Sequence, residues 1–185
     1  MMKLVAMVGS NRKDSYNMKL ASFMQKRYHE KIEIEILPIG QLPFYNQDDE
    51  LNPPAIVEDI RSKIKKSDGI LFATPEYNAS ISGLMKNAID WFSRVDKVMV
   101  NKPAMIVGAS MGKLGTVKAQ MQLRQILNAP GVGTITLPGN EVYVGSVHEK
   151  IDGNGNLNDE QTVQFIDSVV DNFINWIEKV GVLNK

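Results

Sequence analysis

Residues 8–17, VGSNRKDSYN, crowd a glycine, two serines, two asparagines and an arginine into one short stretch. A surface turn needs one or two polar residues. A dense row of hydrogen-bond donors instead has the chemistry to hold a phosphate monoester. Ser10 and Ser15 offer hydroxyls, Asn17 an amide and Arg12 a guanidinium. Hydrogen bonds to a charged group contribute about 1.5–3 kcal/mol each, so three or four anchor a phosphate firmly. A single arginine suits one terminal phosphate better than a triphosphate. The stretch lacks both the GxxxxGK[ST] loop of nucleoside triphosphatases and the GxGxxG of dinucleotide folds. A plainer role also fits these residues, with Ser15 or Asp14 capping a helix and Arg12 solvated.

Two further stretches are as unusual. TPEYNASISGLMKNAIDWF (74–92) sets Glu76, Tyr77, Asn78 and Ser80 together behind the rigid Pro75. The pattern that follows is apolar on more than one face, through Leu84, Met85, Ile89, Trp91 and Phe92, as where a helix packs on both a sheet and a partner subunit. Taken singly, Trp91 and Phe92 also suit plain core packing. GASMGKLGTVKAQMQLRQIL (108–127) brings Ser110, a hydrogen-bond donor, with Gly108, Gly112 and Gly115, which allow a backbone to approach a flat ligand. A helix start behind them offers a second positive pole.

Alternating apolar runs and helical patterns must position these loops. Apolar runs at 3–8, 32–37, 69–74, 103–110 and 132–137 predict five strands. Helical patterns follow at 15–29, 54–66, 82–94, 114–127 and about 158–180, while 38–53 and 138–157 read as loops. Strict alternation in IEIEIL (32–37) marks an edge, and the continuous runs mark strands buried on both faces. Right-handed crossovers then lead to a doubly wound α/β/α sandwich. Ligands bind such sheets beyond the carboxyl ends of the strands, where the three unusual loops fall. No linker or repeat interrupts 1–185, so one domain is expected.

Composition narrows the function. Lys plus Arg (21) balances Asp plus Glu (21), which leaves no footprint for nucleic acid or an anionic membrane. With no cysteine, disulfides, thiolate catalysis and cysteine metal sites are excluded. The N-terminus lacks a signal-peptide pattern and no window reaches membrane-span length, which predicts a cytoplasmic protein. DGNGNLNDEQTV (152–163) imitates a calcium loop, but Leu157 and Val163 stand where glycine and glutamate are required. No metal is expected, and with only His29 and His148 in the chain a serine–histidine triad has little support.

Three motifs carry a family resemblance: GSxRxxSxN after strand one, PEYNxSxxGxxKNAIDW after strand three, and GASxGxxG with AQxxLRQ after strand four. In this order they resemble the NADPH-dependent FMN reductase family, from residue 3 to about 137, with a looser fit beyond. The resemblance implies a flavodoxin-like fold, a three-layer α/β/α sandwich on a five-stranded parallel sheet of order 2-1-3-4-5. It implies bound FMN, with the phosphate held by Ser10, Arg12, Ser15 and Asn17. Pro75, Glu76, Tyr77 and Asn78 would border the ribityl chain and the isoalloxazine ring, and Ser110, Gly112 and Gly115 would line the other side. The chain departs from the family pattern at Ser82, where proline is usual, at Thr116, where glycine is common, and at Lys118, where arginine is common.

The implied chemistry is hydride transfer from NADPH or NADH to the flavin, then to a small-molecule acceptor: a quinone, azo compound, metal oxyanion or free flavin. The flavin carries that chemistry, so no catalytic side chain is expected. Reduced flavin is negative near N1, and the backbone donors of 110–115 are candidates to stabilise it. The resemblance further implies a homodimer or homotetramer with the 82–94 helix in the interface. A flavodoxin-type electron carrier is the alternative, opposed by Arg12 and the zero net charge. A flavin-binding sensor that never turns over is another.

Overall fold

The computed structural model describes residues 1–183. Chain order runs β1 (Met2–Val8), α1 (Tyr16–Arg27), β2 (Ile32–Ile36), α2 (Ala55–Lys66), β3 (Gly69–Ala73), α3 (Gly83–Phe92), β4 (Pro103–Ala109), α4 (Val117–Leu127), β5 (Ile135–Thr136), β6 (Val142–Val144) and α5 (Glu160–Leu183). The strands are parallel in the order β2-β1-β3-β4-β5, with β6 also paired to β4. The expected flavodoxin-like sheet order is the observed one.

Side-chain alternation along the central strands builds two cores at once. Leu4, Ala6, Val8, Leu71 and Val107 face α1 and α5. Val5, Met7, Ile70, Phe72 and Ile106 face α2, α3 and α4. With both faces covered, β3 and β4 are buried along their whole length. At the β2 edge Glu33 and Glu35 point to solvent, and Gln25 Nε2 donates to the Ile34 carbonyl at 2.7 Å. An open sheet edge invites pairing with another chain, and charge plus a side-chain partner blunts it.

The fifth strand position differs from expectation. Instead of one strand over 132–137, β5 pairs with Pro103 and Ala104, and β6 pairs with Val107, Gly108 and Ala109. Between them Pro138 has no N–H for a ladder, and Gly139 and Asn140 adopt positive φ (60° and 52°). The chain therefore leaves the sheet and returns to cover the far end of β4. Three residues, VYV, are too short to announce a strand within a turn-rich stretch.

In α3 the apolar residues pack within the chain. Met85, Ile89, Trp91 and Phe92 are all buried by the chain's own residues, so core packing is the role of Trp91 and Phe92. Part of its apolar surface is covered by the loop after β2, and Leu84 stays half-buried. Trp91 Nε1 and Asn87 Nδ2 both donate to the Pro43 carbonyl at 2.9 Å, and Ile39 and Leu42 join the same core. The outer face of α3 carries the Lys86–Asp90 ion pair.

Candidate functional site

The loops after β1, β3 and β4 converge at the carboxyl edge of the sheet. They enclose a small open cleft of about 180 Å³. Of the predicted residues, Ser10, Arg12, Ser15, Asn17, Pro75, Glu76, Tyr77 and Ser110 line it. Tyr16, Ala109 and Met111 line it too; of these the sequence had marked only Met111, through the backbone donors of 110–115. Asn78, Gly112 and Gly115 are not among its lining residues.

The first loop forms the cleft's cationic end. Ser15 is the N-cap of α1, its Oγ accepting from Met18 N–H at 3.2 Å, which leaves its own proton free to donate. The Tyr16 and Asn17 N–H groups, first in the helix, have no partner among the described residues. Arg12 is exposed and lies over the Tyr16 ring, 5.1 Å from its centroid, without an ion pair among the described residues. The Arg12 N–H donates to Ser10 Oγ at 3.3 Å, which folds the loop back on itself. Unpaired N–H groups, a hydroxyl and a guanidinium over a helix start give this end of the cleft the chemistry that favours an anion.

Asn17 has a further task. Its Nδ2 donates to the Ala109 carbonyl at 3.0 Å, and its Oδ1 accepts from the Ala109 N–H at 2.9 Å. β3 has ended at Ala73, so this side of β4 lacks a strand partner, and the Asn17 amide takes its place. One N–H of the amide remains for a ligand.

The second loop is a tight hairpin. Tyr77 and Ser80 exchange backbone hydrogen bonds at 3.0 Å around Asn78 (φ 52°) and Ala79 (φ 60°). Both central residues are left-handed, the type I′ geometry, which asparagine tolerates and alanine resists. Ser80 Oγ bonds Gln122 Oε1 and the Ile81 N–H bonds the same atom at 3.3 Å, so the turn is tied to α4. Asn78 sits at the exposed tip.

In the third loop several expected contacts are spent internally. The Ser110 hydroxyl donates to the Gly115 carbonyl at 2.6 Å, closing the loop. A Cβ on Gly108 would lie 1.7 Å from Thr116 Oγ1, so this glycine makes room for Thr116 rather than for a ligand. Gly115 has φ 62°, and a Cβ there would meet the Tyr143 backbone at 3.0 Å, so it faces β6. Only Gly112 opens outward, its nearest neighbour being Ser110 Oγ at 3.6 Å. Ser110 N–H is taken by Val144, but those of Met111, Gly112, Lys113 and Leu114 have no backbone partner among the described residues. The positive pole of α4 is also occupied: Glu76 Oε2 accepts from Lys118 N–H at 2.9 Å and Ala119 N–H at 3.3 Å. Among the family departures, Ser82 caps α3 through Met85 N–H at 3.1 Å, and Thr116 fills the space over Gly108.

A family model described as NADPH-dependent FMN reductase matches residues 2–149. The chain is 41% identical, over 96% of its length and 98% of the relative's, to NADH-dependent flavin reductase subunit 2 of Lactobacillus johnsonii. It is 36% identical to a quinone reductase of Pseudomonas putida, over 95% of its length and 94% of that protein's. Among solved structures, FerB, a flavoenzyme NAD(P)H:(acceptor) oxidoreductase from Paracoccus denitrificans, superposes with a TM-score of 0.88. FerB is 39% identical, over 97% of this chain and 98% of its own.

Proposed function

This chain belongs to the NADPH-dependent FMN reductase family, and from that premise we propose that its cleft binds FMN and uses it to carry hydride from NAD(P)H to a small-molecule acceptor, a quinone or free flavin first. One observation carries the proposal: three loops from three strands meet in one cleft whose end gathers free N–H groups, a hydroxyl and an arginine without an ion pair among the described residues. Bound there, FMN would supply the acceptance of hydride and its delivery to the acceptor.

The residues of the chain bind and orient. The Ser15 hydroxyl, the Tyr16 and Asn17 N–H groups, the free N–H of the Asn17 amide and Arg12 would hold the phosphate, with Ser10 shaping the loop. Pro75, Glu76 and Tyr77 form one wall, and the hairpin behind them fixes their backbone. Ser110 and Met111 form the facing wall, and the N–H groups of Met111 to Leu114, which have no backbone partner among the described residues, would suit added electron density. The relatives' names favour a quinone or flavin as acceptor: one is a flavin reductase subunit and another a quinone reductase. A second copy of the chain would close the cleft's open side, as a homodimer or homotetramer; Phe44 (90% exposed) and Leu114 (72%) are apolar groups that such a copy would cover. No helix in the described residues is long and apolar enough to cross a membrane, and a cytoplasmic location would give access to NAD(P)H.

The test is the visible spectrum of FMN-reconstituted protein, freed of unbound flavin, before and after NADPH or NADH is added without oxygen. The expected result is a retained yellow band that bleaches rapidly. A retained band that survives both nucleotides would leave a carrier or sensor and refute the enzymatic reading.

A further inference from the structure

α4 is the one helix over the cleft whose N-terminus is capped from elsewhere in the chain. Its own N-cap residue, Thr116, makes no side-chain cap hydrogen bond, whereas Ser15 and Ser82 cap α1 and α3 locally. Both N–H groups that a local cap would take, those of Lys118 and Ala119, go to Glu76 Oε2 at 2.9 and 3.3 Å. Glu76 lies 42 positions before Lys118, in the cleft wall after β3. The cap therefore joins the loop after β3 to the helix that begins where the loop after β4 ends.

Charge gives the arrangement a second consequence. A helix N-terminus carries roughly half an elementary positive charge. The carboxylate that meets it carries a full negative one, so the capped pole itself is net negative, while the Lys113 and Lys118 side chains nearby are exposed to solvent. Any ligand that gains electron density in the cleft is then disfavoured relative to its oxidised form. We propose that Glu76 is a positioning residue that caps α4 from the opposite wall and, by overcoming that helix's positive pole, keeps the potential of the bound flavin low. This rests on the cleft being the flavin site. Low potential makes the reduced cofactor the stronger reductant toward weak acceptors.

Two substitutions separate the cap from the charge. Glu76→Gln keeps an oxygen acceptor for the two N–H groups and removes the charge. Glu76→Ala removes both. In the apoprotein, amide exchange at Lys118 and Ala119 is expected to accelerate more than tenfold in Glu76→Ala and to stay within about threefold of the parent in Glu76→Gln. In the FMN-loaded protein, both variants are expected to shift the reduced-to-oxidised flavin affinity ratio upward by about tenfold, equal to about 30 mV for a two-electron couple. A purely structural role would move exchange but leave the potential of Glu76→Gln unchanged, and that result overturns the charge half of the proposal. Unchanged exchange in Glu76→Ala overturns the cap. If the parent protein fails to retain FMN, the flavin reading falls and the potential shift with it, while exchange in the apoprotein still decides the cap. Should Glu76→Ala not fold, slowed exchange restored by Glu76→Gln relative to Glu76→Asp, which is one methylene too short to reach, supplies the same comparison.

Discussion

Removing the Asn17 amide should damage the apoprotein before any ligand is considered. Asn17 is 3% exposed, and its side chain satisfies both the N–H and the C=O of Ala109, at 2.9 and 3.0 Å. In Asn17→Ala those two buried peptide groups lose their partners. An orphaned buried donor or acceptor costs about 1–3 kcal/mol, and water entering from the adjacent cleft relieves part of it. The expected loss is about 3 kcal/mol. At 2–4 °C per kcal/mol for a chain of this size, the midpoint falls by about 6–12 °C. Urea unfolding of the apoprotein, followed by far-ultraviolet circular dichroism, measures the loss directly.

Asn17→Asp sharpens the test because it keeps one bond and inverts the other. One carboxyl oxygen still accepts from the Ala109 N–H, but the second faces the Ala109 carbonyl and must carry a proton to bond it. The folded state therefore holds this carboxyl protonated above the ordinary aspartate pKa of about 3.9. A raised carboxyl pKa means the unfolded chain binds fewer protons, so stability falls as pH rises from the unfolded value through the folded one. Near pH 4 the variant should approach the parent, and at neutral pH it should be at least as weak as Asn17→Ala. A loss below about 1 kcal/mol in Asn17→Ala, or a pH-independent deficit in Asn17→Asp, refutes the clamp.

Three other perturbations follow. Arg12→Ala should leave the fold intact and weaken FMN by roughly 10–150-fold, the worth of one charge-assisted contact at about 1.5–3 kcal/mol; unchanged affinity by fluorescence quenching would remove Arg12 from the site. Asp167 accepts from Arg27 at 2.7 and 2.8 Å and from Tyr28 at 2.8 Å, and these bonds, the Arg27 guanidinium foremost, hold its carboxyl below the usual range. Its contribution is therefore present above the unfolded carboxyl pKa and lost as pH falls through the depressed one, so Asp167→Asn should flatten the acid limb of the stability profile; identical limbs would contradict the pairing. Ala79→Gly relieves a left-handed alanine at φ 60° and should raise stability by about 0.5–1 kcal/mol, read as a small rise in midpoint; a fall would mean the turn is not strained there.

Most of the fold was legible because period-2 burial and helical spacing are local signals. Val5 and Met7 against Leu4, Ala6 and Val8 announce a strand buried on both faces, and the structure divides them between two cores accordingly. The broken fifth strand was not legible. Whether Val142–Val144 pairs depends on β4 outrunning β5, a length mismatch visible only in three dimensions. The same division runs through the site. Ser15 and Arg12 declared themselves by type and position at a helix start, a short-range pattern. Glu76, Asn17 and Ser110 were marked as polar residues facing a ligand, but each is bonded within the chain: Glu76 to α4, Asn17 to Ala109 and Ser110 to Gly115 of its own loop. A polar side chain in a loop advertises that it will bond, and the sequence around it does not name the partner. Glycine has the matching ambiguity, since Gly108 and Gly112 look alike in a string. One is reserved for Thr116 and the other is open to whatever enters the cleft.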